Sequence, residues 1–392
     1  MRKKTALLLA LVLLSGILPT VSARAVTPVP EDSFELKCTS AILIERSTGE
    51  IIYEKDAHRH LSPASVTKVM TLLLAAEAVE NGIVRADESV IASKRASSMG
   101  GSQIWLREGE TMSFAEMVKC VAVVSANDCA VAIAEHLAGS EEAFTAKMNL
   151  RAAELGLEDT HFTNCTGLFE SDEHYTCAAD IAVMARELLG HEFVRQFTCL
   201  WTDTVRDGAF GLTNTNRLVR YYPGCTGLKT GFTSKAMFCL AASAERDGLE
   251  MIAVILHGDT SELRFAAART LLDYGFANYA LYTPQSIAEL PAVPVKMGKT
   301  DLVQTACACA EGFLVERAEL SVLRETVTVE ESVRAPVEAG TPLGELVISA
   351  GEKTVARYPL TAAESVEVLT VGELWLELVG MLCGQKDSIC ET

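Results

Sequence analysis

A lysine three residues after a serine, inside an apolar stretch, is the first feature of this sequence that could do chemistry. Ser65 and Lys68, in the segment ASVTKVM, lie one helical turn apart and on the same face of a helix. A serine hydroxyl is a weak nucleophile that needs a nearby base. A lysine becomes such a base only when its pKa falls far below the ordinary value, and burial among Val66, Val69 and Leu72 has that effect. The pair predicts a serine nucleophile with a lysine base.

Two further motifs decide whether this pair is meaningful. Alone, Ser-x-x-Lys is weak evidence, because a serine at a helix start and a lysine reaching to water give the same pattern. Ser125-Ala126-Asn127 comes between two predicted helices, and Lys229-Thr230-Gly231 precedes the first strand of a late hairpin. Each has an ordinary explanation, the first as a helix cap and the second as a turn that leads into a strand. The argument for chemistry therefore depends on all three motifs occurring in this order.

The motifs lie in a region whose pattern predicts strands at both ends and helices between them. Alternating runs on either side of Ser47–Glu50 predict a β-hairpin, and two more runs surround the turn Arg246–Gly248. Helices are predicted at 65–80, from the capping box Ser113–Glu116, at 127–138, 141–154 and 177–189, and at about 261–275. This order predicts an α+β domain: a sheet built from both ends of the region, with helices inserted.

After this region the sequence changes to short alternating runs separated by Gly and Pro, which predict a small all-β domain. We place the α+β domain at 26–282, the all-β domain at 285–366 and a C-terminal segment at 367–392. The all-β domain contains no catalytic set of residues, so we expect it to have a structural or spacing role.

The C-terminal segment contains an apolar helix pattern at 371–383, interrupted only by Glu373 and Glu377. A helix of this length, at ~1.5 Å per residue, is too short to cross ~30 Å of hydrocarbon. It could lie in the membrane interface as an anchor. Its acidic stripe argues against binding to anionic lipid, so packing against the all-β domain or a partner protein remains the alternative.

The N-terminus predicts export. MRKK is followed by an apolar run from Thr5 to Pro19 and then by Ala23 and Ala25, which is the pattern of a signal peptide cleaved after Ala25. An uncleaved anchor is the alternative, although the run is shorter than the ~20 residues of a membrane span. The predicted location is therefore extracytoplasmic.

Charge and cysteine content exclude some classes of partner and framework. The formal net charge is −18. The charged residues among 1–25 are all basic, so removal of this segment makes the chain more acidic. Such an acidic chain is not expected to bind nucleic acid or an anionic membrane surface. The twelve cysteines are scattered, with Cys307 and Cys309 the only close pair, so we expect few or no disulfides.

The three motifs in this order are those of penicillin-binding proteins and class A β-lactamases. The chain resembles the low-molecular-mass penicillin-binding proteins that act as serine-type D-alanyl-D-alanine carboxypeptidases. The resemblance covers nearly the whole chain and includes the segments SSMGGSQIWL, HFTNCTGL, NTNRLVRYYPGCTGLKTGFTSKA and LLDYGF. It implies a β-lactamase/transpeptidase-like catalytic domain with an antiparallel sheet, no cofactor and no metal. The implied partners are peptidoglycan stem peptides ending in D-Ala-D-Ala and β-lactam antibiotics, and the implied place of action is the cell-wall or membrane face.

The resemblance also implies roles for the residues that react. Ser65 would attack the penultimate D-Ala carbonyl group, and Lys68 would take its proton. Ser125 would bridge Lys68 and Lys229 and pass a proton to the leaving amine. Asn127 would hold the substrate amide and fix Lys68.

Further residues would bind the substrate. Lys229 and Thr230, with Gly231 in the same motif, would face the terminal carboxylate, and Lys229 would help to lower the pKa of Lys68. The backbone N–H groups of Ser65 and Phe232 would form an oxyanion hole. Arg264 would help to recognise the carboxylate, and a solvated arginine in the first turn of a helix is the ordinary alternative.

The sequence departs from the family pattern at two positions and leaves alternative functions open. Cys165 replaces the usual proline of HFxNPTGL, and Ala126 stands where glycine is common, so loop geometry could differ.

A β-lactamase of the same fold would need a deacylating carboxylate, and HFTNCTGL offers none. A catalytically weak wall-binding protein is the non-enzyme alternative. A metallopeptidase would need His-Glu-x-x-His, which His58, His60 and His191 do not complete.

Overall fold

The computed structural model of the chain describes residues 22–23, 26–169, 171–307 and 312–382. Most of the predicted signal peptide, Cys309 and everything after Leu382 lie outside these residues. Within them, the chain divides into two compact units. One comprises the described residues from Val26 to Tyr282 with Phe313–Ala318, and the other comprises Ser22 and Ala23 with the remaining described residues from Thr283 onward.

Most of the helices lie in the first unit, and the last described helix lies in the second. In chain order, the α-helices of the described residues are α1 (Lys68–Glu80), α2 (Lys94–Ser97), α3 (Phe114–Val124), α4 (Asn127–Ala138), α5 (Glu141–Glu154), α6 (Ala178–Leu188), α7 (Glu192–Thr198), α8 (Leu218–Tyr221), α9 (Ser261–Asn278) and α10 (Val371–Leu382). The predicted capping box is present, with the Ser113 side chain accepting from the Glu116 N–H and the Glu116 side chain accepting from the Ser113 N–H.

Strands supply the sheet of the first unit and most of the second. In chain order, they are β1 (Ser22–Ala23), β2 (Cys38–Glu45), β3 (Ile51–Lys55), β4 (Ser89–Ile91), β5 (Thr111–Ser113), β6 (Thr202–Val205), β7 (Phe210–Thr213), β8 (Cys225–Thr233), β9 (Met237–Arg246), β10 (Leu249–Gly258), β11 (Tyr279–Tyr282), β12 (Val293–Lys296), β13 (Leu302–Val303), β14 (Thr305–Cys307), β15 (Phe313–Glu316), β16 (Leu323–Val329), β17 (Val333–Arg334), β18 (Pro342–Ala350) and β19 (Lys353–Ala362).

The central sheet of the first unit is antiparallel, in the order β3-β2-β10-β9-β8. It draws strands from both ends of the unit, which confirms the predicted α+β architecture. Both faces are buried. Ile42 and Ile252 belong to the core shared with the inserted helices, whereas Leu43 and Met251 belong to a second core with Leu271 of α9. The sheet therefore has α9 on one face and the helical region on the other.

The structure differs from the sequence prediction at two of the motifs. The predicted helix 65–80 is a 3-10 turn at Ala64–Thr67 followed by α1, which begins at Lys68. Lys-Thr-Gly was predicted to precede a strand, but it lies inside β8, the edge strand of the sheet. Gly227 and Gly231 conceal this strand in the sequence, because glycine ordinarily weakens a strand and marks a place where another backbone comes close.

The second unit is mostly β-structure, as predicted. β16, β18 and β19 form an antiparallel sheet to which β1 and β14 add, and β12 pairs with β13 and β17. Val293, Val303 and Leu343 are among the residues of its core. The segment Phe313–Ala318 instead belongs to the first unit, where β15 pairs with β11. No helix in the described part of the chain is long and apolar enough to span a membrane.

Candidate active site

Ser65 lies in the 3-10 turn that precedes α1, and its side chain is partly exposed while Ala64, Val66 and Thr67 are buried. Ala64 has a positive φ of 48°, which is uncommon for a residue other than glycine. Gly167 packs against this turn so closely that a Cβ atom on it would lie 1.8 Å from the Ala64 carbonyl oxygen. The turn that carries the hydroxyl is therefore fixed by a neighbouring loop.

Lys68 is fully buried, and its ammonium group has two hydrogen-bond partners. Its Nζ atom lies 3.0 Å from Ser65 Oγ and 2.7 Å from the carbonyl oxygen of Thr166. Burial lowers the pKa of Lys68 to about 7, while the nearby Cys165 and Asp128 act in the opposite direction. A large fraction of Lys68 is therefore neutral near pH 7, and a neutral amine at this distance can accept the Ser65 proton.

The loop that supplies the Thr166 carbonyl is held by an asparagine that the motif analysis did not single out. Asn164 Oδ1 accepts from the N–H groups of Thr166 and Gly167, at 3.1 and 2.7 Å, and from Thr166 Oγ1 at 3.0 Å. Thr71 Oγ1 donates to the Cys165 carbonyl at 2.7 Å, which ties the loop to α1. The segment HFTNCTGL thus acts through its backbone, and only the family resemblance drew attention to it.

His174 is a second residue that the motifs did not reveal. It is buried, and its Nδ1 atom accepts from the Thr163 N–H at 3.0 Å, so the proton is on Nε2. Nε2 donates to Thr67 Oγ1 at 2.8 Å, and that hydroxyl donates to the Ala64 carbonyl at 2.8 Å. Burial, with the nearby His161, lowers the pKa of His174 to about 4. A neutral histidine therefore supports the turn that carries Ser65.

Ser125 and Asn127 lie between α3 and α4. Ser125 is the C-terminal cap of α3, with φ 65° and ψ 31°, and its buried Oγ atom has no hydrogen-bond partner among the described residues. Asn127 Nδ2 donates to the Gly100 carbonyl at 2.7 Å, whereas its Oδ1 atom has no partner there. The expected bridge from Ser125 to Lys68 and Lys229 is therefore not formed, and Asn127 does not hydrogen-bond Lys68.

Lys229 and Thr230 lie in β8 and are almost fully buried. Lys229 Nζ donates to the Thr230 carbonyl at 3.0 Å, and Thr230 Oγ1 donates to Thr215 Oγ1 at 2.7 Å. Burial, the Lys68 ammonium and the Arg264 guanidinium lower the pKa of Lys229 well below its ordinary value. The nearby charge of Lys68 thus adds to burial in lowering the pKa of Lys229, and burial is the main cause that lowers the pKa of Lys68.

Gly231 lets β8 approach the nucleophile turn. A Cβ atom on Gly231 would lie 2.6 Å from the Pro63 carbonyl oxygen and 3.1 Å from the backbone nitrogen atoms of Ser65 and Val66. A side chain at this position would displace one of the two segments. Phe232, the next residue, is exposed and stacks on Phe238 with ring centroids 4.4 Å apart. The strand therefore runs directly beside the backbone nitrogen of Ser65.

Arg264 is buried rather than solvated, so the ordinary alternative for this residue is wrong. Its Nη1 atom donates to the carbonyl oxygens of Gly231 and Cys239, at 2.8 and 3.1 Å. Its guanidinium group also lies over the rings of Phe238 and Phe265. Burial lowers the pKa of Arg264 to about 10. In this structure the arginine holds β8 and β9 in place.

The two departures from the family pattern fit the local backbone. Cys165 is buried, and its N–H points to Glu141 Oε1 at 3.4 Å, a contact that proline could not make. Ala126 has φ −57°, which does not require glycine. Among the described residues, no carboxylate hydrogen-bonds Ser65 or Lys68; Glu141 instead pairs with Arg95 at 2.9 Å.

Comparisons with known proteins identify the family to which the chain belongs. A family model described as D-alanyl-D-alanine carboxypeptidase, Peptidase S11, matches residues 24–260, and one described as penicillin-binding protein 5, C-terminal domain, matches residues 285–368. The D-alanyl-D-alanine carboxypeptidase DacF of Bacillus subtilis is 40% identical over 336 residues, which cover 84% of this chain and 85% of the relative.

Solved structures give the same result. Penicillin-binding protein 5 from Haemophilus influenzae superposes with a TM-score of 0.75 at 25% identity, and the match covers 88% of this chain and all of that one. Penicillin-binding protein D2 from Listeria monocytogenes, in an ampicillin-bound form, has a TM-score of 0.57 at 30% identity, and the match covers 62% of this chain and 99% of that protein. The predicted fold class is confirmed, and the chain belongs to the Peptidase S11 family of D-alanyl-D-alanine carboxypeptidases.

Proposed function

We propose that this chain removes the terminal D-alanine from peptidoglycan pentapeptide stems through an acyl-serine intermediate on Ser65. The observation that carries the proposal is the 3.0 Å separation between Ser65 Oγ and the Nζ atom of a buried lysine whose pKa is about 7. A serine–lysine pair of this kind supplies the activated nucleophile of acyl transfer. The matching family and relatives support the same substrate class.

The residues have the following proposed roles in acylation. Lys68, in its neutral form, takes the Ser65 proton as Oγ bonds to the carbonyl carbon of the penultimate D-alanine. The peptide C–N bond then breaks, and the leaving amine of the terminal D-alanine receives a proton. Ser125 passes that proton from Lys68, using the hydroxyl group that has no partner among the described residues. Water then hydrolyses the ester and releases the shortened stem.

Backbone groups beside the nucleophile stabilise the charge that develops on the carbonyl oxygen. The close approach of Gly231 to the Ser65 nitrogen supports an oxyanion hole made by the N–H groups of Ser65 and Phe232. Asn127, with an Oδ1 atom that has no partner in the described part of the chain, accepts from the substrate amide. These donors and acceptors are in place before the substrate arrives, which is what makes them effective.

Lys229 and Thr230 bind the terminal carboxylate of the substrate. The buried ammonium of Lys229 gains an opposite charge when a carboxylate enters, and such charge-assisted hydrogen bonds are strong. Arg264 contributes by positioning, because its guanidinium group holds the carbonyl oxygens of Gly231 and Cys239. We therefore revise its expected role from direct recognition to support of β8.

Penicillin should acylate this site and inhibit it. A β-lactamase needs a carboxylate that activates water for deacylation, and the described residues place none on Ser65 or Lys68. A fluorescent penicillin should label the wild-type protein lastingly and the Ser65→Ala variant not at all, while the wild type releases D-alanine from a pentapeptide. Rapid loss of the label would favour the β-lactamase, and labelling without D-alanine release would favour the wall-binding protein.

Export and membrane contact form a further part of the proposal. Val371, Trp375 and Val379 are exposed and follow one another at intervals of four residues in α10, so they lie on one face of that helix. An exposed apolar face supports an interfacial anchor over packing against the all-β domain. The signal-peptide pattern supports export to the compartment where peptidoglycan is found.

A further inference from the structure

Trp105 presents a large aromatic ring to solvent on a loop that reaches the catalytic residues. Its side chain is 64% exposed, and its φ of 56° places it in the left-handed region. A bulky residue with this conformation is a genuine outlier, and such strain persists only where the surroundings impose it. A ring that is both exposed and held in a strained conformation is typical of a binding surface.

Two charged side chains hold the backbone in this conformation. The buried carboxylate of Asp128 accepts from the N–H groups of Ile104 and Leu106, at 3.1 and 3.0 Å, on either side of Trp105. Arg206 Nη1 donates to the Ile104 carbonyl at 2.9 Å, and its Nε atom donates to Glu110 at 2.7 Å. The ring is thus presented by a rigid loop.

The loop is continuous with the proposed catalytic site. Asp128 is the residue after Asn127, whose N–H donates to the Ser102 carbonyl at 2.7 Å and whose Nδ2 atom donates to Gly100. Residues 100–106 are therefore held by Asn127 at one end and by Asp128 at the other. A substrate that hydrogen-bonds Asn127 therefore lies beside the loop that carries Trp105.

The surface around the ring is a cleft of about 630 Å³ in which charges balance. Phe210 meets Trp105 edge to face, with ring centroids 5.8 Å apart. Two arginines and two glutamates complete the polar lining: Arg107, Arg206, Glu108 and Glu110. A volume of this size suits a small ligand, and a lining without net charge suits a neutral one. The stem peptide carries carboxylates, whereas a hexosamine unit of the strand that carries it has both an apolar face and hydrogen-bonding groups.

We propose that the Trp105 cleft binds an N-acetylhexosamine ring of the peptidoglycan strand from which the stem extends. This inference rests on the proposed function, because it assigns a subsite to the same substrate. The apolar face of the sugar stacks on the indole ring, and the side chains of Arg107 and Glu108 hydrogen-bond its hydroxyl and acetamido groups. Binding energy from this remote part of the substrate then favours reaction at Ser65.

The test compares two substrates that differ only in the sugar: a free pentapeptide and the same pentapeptide on an N-acetylhexosamine disaccharide. Trp105→Ala should lower kcat/KM about tenfold for the disaccharide substrate and leave the free peptide unchanged, since the variant loses the stacked ring. Trp105→Tyr, which keeps a ring, should recover most of that loss. Tyr221→Ala removes another exposed aromatic ring and serves as the matched control.

The outcomes are distinct. An equal loss on both substrates would show that the cleft binds the peptide, which would overturn the proposal. No loss on either substrate would also overturn it. The rate of acylation by penicillin, which lacks the sugar, should be the same in wild type and Trp105→Ala, which controls for folding of the variant. If the wild type released D-alanine from neither substrate, the proposed function itself would fail.

Discussion

The Nζ atom of Lys68 lies 3.0 Å from Ser65 Oγ, at the point where a 3-10 turn gives way to α1. The lysine side chain is sealed from solvent, while the serine side chain remains partly exposed. The base is therefore protected from water, and the nucleophile can still reach a substrate. Both the rate of acylation and its pH dependence rest on this arrangement.

Ser65→Ala and Lys68→Ala should each reduce D-alanine release by about 10³-fold or more, because one removes the nucleophile and the other its base. The double variant should lose little more than either single variant, since the two groups act as one unit. Acylation by penicillin, followed as covalent label against time, gives the same comparison for the first step alone. If Lys68→Ala kept most of its acylation rate, Lys68 would not be the base.

The pH dependence of acylation should report Lys68. Because burial lowers its pKa to about 7, the neutral amine becomes the main form as the pH rises through 7. The acylation rate constant should therefore rise between about pH 6 and pH 8 and then level off. Stopped-flow measurement across this range provides the check. A rate that stayed flat through pH 7 would show that another group controls the step.

Lys229 can be tested through the charge of the substrate. With the wild-type enzyme, a pentapeptide with an amidated C-terminus should react at least about tenfold more slowly than the same peptide with a free carboxylate. The amidated peptide lacks the negative charge that pairs with Lys229. With Lys229→Ala the two peptides should differ much less. Equal penalties in both proteins would remove Lys229 from carboxylate binding.

His174 should make stability depend on pH. Its pKa of about 4 in the folded protein lies below the ordinary 6.5, so folding favours the neutral ring. The stabilisation is complete above pH 6.5 and is lost as the pH falls towards 4, to an extent of up to about 3 kcal/mol. Urea unfolding at about pH 7 and about pH 4.5 measures this loss, and His174→Gln should show a smaller one. An identical pH dependence in the two proteins would contradict the assignment.

Deleting residues 371–392 should release the exported protein from membranes and leave activity on a soluble peptide unchanged. The exposed face formed by Val371, Trp375 and Val379 gives the physical reason. Fractionation of cells that express the full-length and shortened chains provides the measurement. Membrane attachment that survived the deletion, or activity that disappeared with it, would show that the segment does something other than anchor the protein.

Local signals in the sequence predicted much of the fold. The helices at 127–138 and 141–154 have the predicted bounds, because Gly139 ends the first and the Ser140 side chain caps the second. The hairpin around Arg246–Gly248 is also confirmed, since its turn and alternating pattern are local. Elements of this kind depend on neighbours in the chain and can therefore be recognised from one sequence.

Other parts of the site depend on contacts between distant residues. The strand that contains Lys229 was missed, because its hydrogen bonds to β9 outweigh a poor local pattern. The role of His174 rests on Thr67, a residue 107 positions away. The Thr166 carbonyl acts through the backbone, which no side-chain motif reveals. The sequence could name the reacting groups but could not show what holds them.

The buried amino group of Lys229 has a consequence for calorimetry. Its pKa is well below the ordinary value because it is buried next to the charged groups of Lys68 and Arg264. A carboxylate ligand would raise that pKa, so at any pH between the pKa values of the free and bound states the protein would take up protons from the buffer as it binds. The heat of binding should therefore differ between buffers of different ionisation enthalpy, and the slope of that dependence would count the protons.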